Sequence, residues 1–207
     1  MKRTCQMLLL MLLAGCSTTT TVRGDWQEEP SQPAFGNVLV LGVTPSTRIR
    51  RSFEVALAEL LDSSQTRATA AIVAAGNADA PTVEGIRALA QANGVDGVLV
   101  TRLVARKVAA HETASRMGVK TARPVSLRDG PGLIELFSTD YNEYEDPGEF
   151  TAQSTATTET SLYDLRRGDL LVYVVTTESK FREDRDDVIA DITRAIARQL
   201  TQAGLVR

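Results

Sequence analysis

Asn37-Val38-Leu39-Val40-Leu41-Gly42-Val43 is the segment that indicates the fold most clearly. It is a short and continuous apolar run that is rich in valine and leucine. Such a run is typical of a strand that is buried on both faces, as in a sheet covered by helices. Two more apolar runs follow at residues 68–74 and 95–104, and helical patterns separate the three. The order is that of a βαβαβ unit, so we expect parallel strands.

The segments between these runs predict helices over residues 47–62 and 82–92. The first carries apolar residues at helical spacing, namely Ile49, Phe53, Ala56, Leu57, Leu60 and Leu61. Its first turn also holds Arg48, Arg50 and Arg51, which could bind an anion at a helix N-terminus. Residues 42–47 lack the glycine spacing of a phosphate loop, so the pattern favours ion pairs with acids such as Glu54.

The C-terminal half has a different pattern. Residues 133–141, 151–164 and 170–177 predict strands, and Arg166-Arg167-Gly168-Asp169 turns the chain between the last two. An amphipathic helix is expected over residues 182–203, with acids in its first turns. The predicted fold class is therefore α/β (α+β). A βαβαβ unit is followed by an antiparallel meander and a C-terminal helix, in one mixed sheet with helices packed on it, as a single domain over residues 36–207.

The N-terminus has the three parts of an export signal. Lys2 and Arg3 are followed by the apolar residues 7–13 and by the small residues Ala14 and Gly15. The apolar run is much shorter than the roughly 20 residues that a membrane-spanning helix needs. We therefore predict that residues 1–15 are a signal peptide.

Leu13-Ala14-Gly15-Cys16 resembles a bacterial lipobox. The resemblance implies cleavage before Cys16, a diacylglyceryl group on its sulfur and a further acyl chain, such as palmitate, on its nitrogen. Ser17 stands where an aspartate would imply inner-membrane retention, so outer-membrane sorting is expected. Residues 16–35 predict a flexible tether, in which Trp26 packs onto the domain. Arg23-Gly24-Asp25 matches an adhesion tripeptide that is common by chance.

Composition narrows the function further. The chain has 207 residues, with 23 Lys+Arg, 26 Asp+Glu and a net charge of −3, which disfavours nucleic acid as a partner. Cys5 would leave with the signal peptide, so Cys16 is the one mature thiol, and His111 is the one histidine of the chain. No zinc set is specified, the acids at 142–149 lack calcium-loop spacing, and no cofactor is expected.

Five motifs follow one another along the chain: Trp26 with Pro30, the VLVLGV strand of residues 38–43, the Arg-Arg-x-Phe-Glu helix start of residues 50–54, the DGVLVTRLV strand of residues 96–104 and the LYDLRRGDLLVY hairpin of residues 162–173. Their order resembles that in a group of small Gram-negative lipoproteins of unassigned function. The order is also similar to the N-terminal domain of the Tol–Pal translocation protein, to the curli-secretion lipoprotein and to the lipoprotein that activates penicillin-binding proteins. This resemblance is one of fold and transfers no function.

The sequence leaves three functions to compare. We expect a non-enzymatic interaction module, anchored by its acyl chains to the outer membrane and facing the periplasm. It would bind an envelope protein or a cell-wall component through its loops and the exposed edge of the meander. The alternative is a subunit of an oligomeric secretion or transport assembly. A hydrolase is disfavoured because the sequence has no Gly-x-Ser-x-Gly elbow and no thiol beyond Cys16.

Overall fold

The computed structural model describes residues 19–28, 33–76, 82–109, 153–181 and 185–207. Six strands lie in this part of the chain: β1 (Thr19–Trp26), β2 (Asn37–Val43), β3 (Arg67–Ala70), β4 (Gly97–Ala109), β5 (Gln153–Asp164) and β6 (Leu170–Phe181). The helices are α1 (Thr47–Leu61), α2 (Ala71–Ala74), α3 (Val83–Ala92) and α4 (Arg185–Gln202). These elements form the mixed α/β fold that the sequence predicts.

The strands form one sheet in the order β1-β6-β5-β4-β2-β3. β2 pairs in parallel with both β3 and β4, as expected for a βαβαβ unit. The pairs β4–β5, β5–β6 and β6–β1 are antiparallel. Both the parallel unit and the antiparallel meander are therefore confirmed.

Helices cover both faces of the sheet. On the first face, here called the α1/α4 face, Val38 and Val40 of β2 share a core with Leu57 of α1 and Ile196 of α4. On the opposite face, the α3 face, Leu39 and Leu41 pack with Ile86 of α3. Because successive residues of a strand point to opposite faces, a buried β2 needs apolar residues at every position. This explains the continuous run from which the fold was predicted.

The helices begin close to the predicted positions. Ser46 caps α1 by accepting a hydrogen bond from the amide of Ile49, and Thr82 caps α3 by accepting one from the amide of Gly85. Such caps satisfy backbone donors that the first turn leaves free. In the residues that the structure describes, no helix is both long and apolar enough to cross a membrane.

The strand predicted at residues 68–74 is wrong in its second half. β3 ends at Ala70, and Ala71–Ala74 form the one-turn helix α2. The Glu54 carboxylate accepts the amide of Ile72, and the amide of Ala75 closes the turn on the carbonyl of Ala71. The buried carboxylate therefore withdraws Ile72 from strand pairing, which local sequence could not show.

The tether predicted at residues 16–35 is wrong for Thr19–Trp26. These residues form β1, which pairs antiparallel with β6 from Thr19 opposite Lys180 to Trp26 opposite Tyr173. Threonine has a high strand propensity, and pairing satisfies the backbone groups along the edge of β6. Trp26 packs edge-on against Tyr173 with ring centroids 4.9 Å apart, so its predicted packing on the domain is confirmed.

Several predictions lie outside the described residues. They concern the signal peptide at 1–15, Cys16, His111, the strand at 133–141 and the acids at 142–149.

Candidate functional site

An apolar cavity of about 150 Å³ lies on the α1/α4 face, over the central strands and next to the carboxyl end of β2. α1 packs on β2 and β3, α4 packs on β6 and β1, and the cavity lies between the two helices over β4 and β5. Its apolar lining includes Val43, Ile49, Phe53, Phe181, Val188 and Ile192. In open α/β sheets, ligands bind beyond the carboxyl ends of the strands, and β2 ends at this cavity.

The first helical turns bring the lining together. The Ser46 cap starts α1 immediately after β2, which places Ile49 and Phe53 over the end of that strand. α4 begins shortly after β6 ends at Phe181 and contributes Val188 and Ile192 from its own first half. Both helices therefore start at the same end of the sheet, next to the cavity, and run away from it in the same direction.

The floor of the cavity carries hydroxyl groups that bond to one another. The Thr101 and Thr160 hydroxyls lie 2.8 Å apart, and the Thr158 and Thr177 hydroxyls lie 2.6 Å apart. All four side chains are buried. Since buried hydroxyls that are hydrogen-bonded need no water, the floor accepts apolar groups without a further desolvation cost.

A buried carboxylate stands behind the cavity wall. Glu54 is fully buried on α1 and accepts the amide of Gly42 at 2.9 Å and the amide of Ile72 at 2.6 Å. The Arg50 Nε lies 3.8 Å from its carboxylate. One side chain thus ties α1 to the end of β2 and to the start of α2.

Burial raises the pKa of Glu54 from its ordinary value of 4.5 to about 7. Loss of hydration disfavours the charged form and is the largest effect. The two backbone hydrogen bonds and the nearby Arg50 oppose it but do not outweigh it. Glu54 therefore exchanges its proton near neutral pH while it holds three elements together.

A second buried ion pair lies on the α3 face, between β4 and β5. Arg102 and Glu159 are directly opposite in the strand register, and the guanidinium donates to Glu159 Oε1 from Nε at 3.3 Å and from Nη2 at 3.2 Å. Both residues are less than a tenth exposed. The pair fixes the register of these strands, because a slip by one residue would send each charge to the other face.

A third polar cluster lies at the opposite end of the sheet from the cavity. The fully buried carboxylate of Asp164 accepts the Arg166 amide and the Arg166 Nε, both at 2.9 Å. The hydrogen bond from the Arg166 side chain to Asp164 is the main reason that the pKa of Arg166 is raised. The Arg166 guanidinium also lies 4.5 Å above the ring of Phe35. The turn predicted at residues 166–169 is therefore held by contacts of Arg166 to Asp164 and Phe35.

The structure also places the motifs that the sequence singled out. Arg50 lies beside Glu54, which agrees with the ion-pair interpretation for that one of the three arginines in the first turn of α1. Arg23 and Asp25 pair at 2.9 Å within β1, and an added Cβ on Gly24 would overlap the Tyr173 hydroxyl. The tripeptide is thus part of a packed strand. Among the described residues, no group of three or more His, Cys, Asp or Glu could hold a metal ion.

Sequence reasoning missed the cavity. Its lining comes from β2, β4, β5 and β6 and from two helices, and no local pattern links these segments. The one available signal was Glu54, an acid on the apolar face of α1 between Phe53 and Leu57. An acid at such a position must find partners inside the fold.

Comparison with known proteins gives only distant likenesses. No protein-family profile and no curated protein sequence matches the chain. Similar solved structures include two of the PelC dodecamer from Paraburkholderia phytofirmans. A variant of that dodecamer has 14% identity and a TM-score of 0.49, and covers 91% of this chain and 100% of the other. The second has 15% identity, a TM-score of 0.44 and the same coverage.

Another similar structure is lipoprotein GNA1162 from Neisseria meningitidis. It has 13% identity and a TM-score of 0.39, and the alignment covers 81% of this chain and 99% of the other. Likenesses at this level carry no argument about activity or assembly. The similarity to the Tol–Pal domain and to the lipoprotein activator of penicillin-binding proteins stays a prediction from sequence.

Proposed function

We propose that this chain is a cell-envelope lipoprotein that is acylated at Cys16, and that its domain is a non-enzymatic interaction module. The module is held at the outer membrane and faces the periplasm. The observation that carries the proposal is the short separation of the lipobox from the sheet, because Ser17 and Thr18 are the only residues between Cys16 and β1. An anchor that leads directly into a sheet edge suits a domain that works at a membrane surface.

The start of β1 changes the reach of the module. A flexible tether of about 19 residues would give a root-mean-square reach of roughly 25 Å. Three extended peptide units allow no more than about 11 Å between the Cα atoms of Cys16 and Thr19. The partner is therefore an envelope protein or cell-wall component that comes close to the membrane.

The binding surface also differs from the one that the sequence favoured. The sequence favours the exposed edge of the meander as the binding surface, but β1 covers the edge of β6 from Tyr173 to Lys180. The expectation is wrong for β6. The outer edge of β1 and the loops at the ends of the strands take its place in this proposal.

The anchor is tested by labelling cells with a radioactive fatty acid. We expect label on the wild-type chain and on Cys5→Ala, the matched control within the signal, and no label on Cys16→Ala. We also expect Ser17→Asp to move the labelled protein towards the inner membrane. Label that persists on Cys16→Ala would overturn the acylation.

The interaction role is tested by crosslinking the acylated protein in envelopes and identifying what co-purifies. We expect one envelope protein or cell-wall fragment in excess over a Cys16→Ala control. Size-exclusion chromatography of the detergent-solubilised protein distinguishes the alternative. A large, uniform ring would favour a subunit of a secretion or transport assembly.

A further inference from the structure

We infer that the cavity between α1 and α4 holds part of one acyl chain of Cys16, so that the lipid anchor is folded back into the domain. The inference rests on the proposed acylation of Cys16. It concerns where the acyl chain goes, whereas the proposed function concerns its presence.

Position is the first argument. β1 begins at Thr19, which is paired with Lys180 of β6. The next residue of β6 is Phe181, and its side chain lines the cavity. The end of the sheet where the chain enters β1 is therefore the end where the cavity lies, and the other end of β1 is at Trp26, opposite Tyr173.

Reach is the second argument. The Cα of Cys16 lies within about 11 Å of the Cα of Thr19 in any conformation of the chain between them. β1 and β6 are neighbours, about 4.8 Å apart. An acyl chain on Cys16 thus starts no more than about 17 Å from Phe181. This distance is comparable with the roughly 15 Å half-thickness of the bilayer core that such chains span.

Chemistry is the third argument. The wall consists mostly of aliphatic and aromatic side chains, among them Ile49 and Phe53 of α1 and Val188 and Ile192 of α4, and Arg106 is the charged residue in the lining. The hydroxyls of Thr101 and Thr158 on the floor are bonded to those of Thr160 and Thr177. These hydroxyls are therefore already hydrogen-bonded, and the surface suits a saturated hydrocarbon.

Size limits what enters. A cavity of about 150 Å³ is of the order of an engineered apolar cavity that stays dry and binds benzene. It therefore takes a stretch of several methylene groups of one chain. The remaining acyl chains stay in the bilayer, and the end of the domain formed by the starts of α1 and α4 is turned towards the membrane.

The test uses the full chain in cells that are fed a fatty acid with a photoactivatable diazirine near its terminus. After illumination, the protein is purified and the crosslinked peptides are identified by mass spectrometry. We expect crosslinks within the same chain to peptides that contain Ile49 and Phe53 of α1 or Val188 and Ile192 of α4. Labelled Cys16 with crosslinks confined to other surfaces would overturn the inference and leave the proposed acylation intact.

One variant, Cys16→Ala, separates the possible occupants. In Cys16→Ala the same probe is still present in membrane phospholipid, and we expect the cavity crosslinks to be lost. Crosslinks that persist there would show a free lipid in the cavity and would overturn the inference. A chain with no label at Cys16 would instead defeat the proposed function.

A blocking variant tests the cavity itself. Ile189→Trp fills the space from α4, since Ile189 lines it, and should remove the cavity crosslinks while Cys16 stays labelled. Asp187→Trp is the matched control, because Asp187 is exposed on the same helical turn and does not line the cavity. Unchanged cavity crosslinks in a folded Ile189→Trp protein would contradict the proposed position of the chain.

Discussion

The two halves of the sheet present different chemistry to the helices on one face, the parallel half to α1 and the antiparallel half to α4. On the α1/α4 face, the parallel half offers aliphatic residues, with Val38, Val40 and Leu99 fully buried. The antiparallel half offers hydroxyls on the same face, including Thr158, Thr160, Thr177 and Ser179. α1 packs on the aliphatic half, and the cavity lies over the central strands where hydroxyls replace aliphatic side chains.

The difference separates a closely packed part of this face from the part that leaves a cavity. In the parallel half, the aliphatic side chains of β2 pack closely against α1, and the cavity begins only at Gly42 and Val43, at the carboxyl end of β2. Paired threonines direct their hydrogen bonds along the sheet and fill less volume above it. Glu54 stands at the boundary, where its polar contacts go to backbone amides of β2 and α2.

The largest effect should come from removing the polar group of the parallel half. Glu54→Ala leaves the buried amides of Gly42 and Ile72 without their acceptor and removes the carboxylate beside Arg50. We expect the free energy of unfolding to fall by about 3–5 kcal/mol. Urea unfolding monitored by circular dichroism measures it. Glu59→Ala, at an exposed position of the same helix, is the control and should be close to neutral.

The pH dependence should come next. The pKa of Glu54 is about 7 in the folded chain and 4.5 when hydrated, so the folded state holds a proton that the unfolded state releases between these values. This contribution to stability is fully present below pH 4.5 and is lost as the pH rises to about 7. It amounts to something on the order of 3 kcal/mol.

Urea unfolding between pH 4 and 8 tests this assignment against Glu54→Gln, which cannot titrate at that position. We expect the stability of the wild type, relative to Glu54→Gln, to decline across the interval. A constant difference would show that the pKa of Glu54 is the same in the folded and the unfolded chain.

A smaller effect is expected at the outer strand of the antiparallel half. In Gly24→Ala, the added Cβ would meet the Tyr173 hydroxyl and Gln199, so β1 must shift on β6. We expect a loss of about 1–3 kcal/mol and faster proteolysis within β1. Gly36→Ala is the control, because its added Cβ would meet nothing closer than 3.6 Å. Equal proteolysis of both variants would contradict the tight packing of β1.

The smallest effect should come from the hydroxyl pairs. Thr158→Val leaves the buried Thr177 hydroxyl without its 2.6 Å partner, and we expect a loss of about 1–2 kcal/mol. Replacing both threonines by valine should cost less than the sum of the single changes, because no hydroxyl is then unmatched. Thr157→Val, on the opposite face of β5, is the control. Additive costs in the double-mutant cycle would show that the hydroxyls do not depend on each other.

Much of the parallel half could be predicted because its signals are local. The run of residues 37–43 has the composition of a doubly buried strand, and Ser46 and Thr82 cap the helices that follow the predicted starts. The antiparallel half was predicted in outline from its β-branched residues and from the turn at residues 166–169. In both halves, the signal that predicts each element comes from a few neighbouring residues.

The errors arose where a distant group competes with local preference. Residues 71–74 have the apolar character of a strand, but Glu54 accepts the amide of Ile72 and the chain turns into α2. Thr19–Trp26 have the composition of a polar linker, but they pair with the edge of β6. In each case the partner lies far away in sequence, so no pattern within the segment could show it.

The sequence by itself determined the α/β class, the parallel unit, the meander and the prediction of acylation at Cys16, because each depends on the order and spacing of nearby residues. Only the tertiary structure decided that β1 is a strand, that Glu54 joins three elements and that an apolar cavity lies between α1 and α4. These features need residues from β2, β5, β6 and both helices at one place, and that proximity exists only after the sheet has formed.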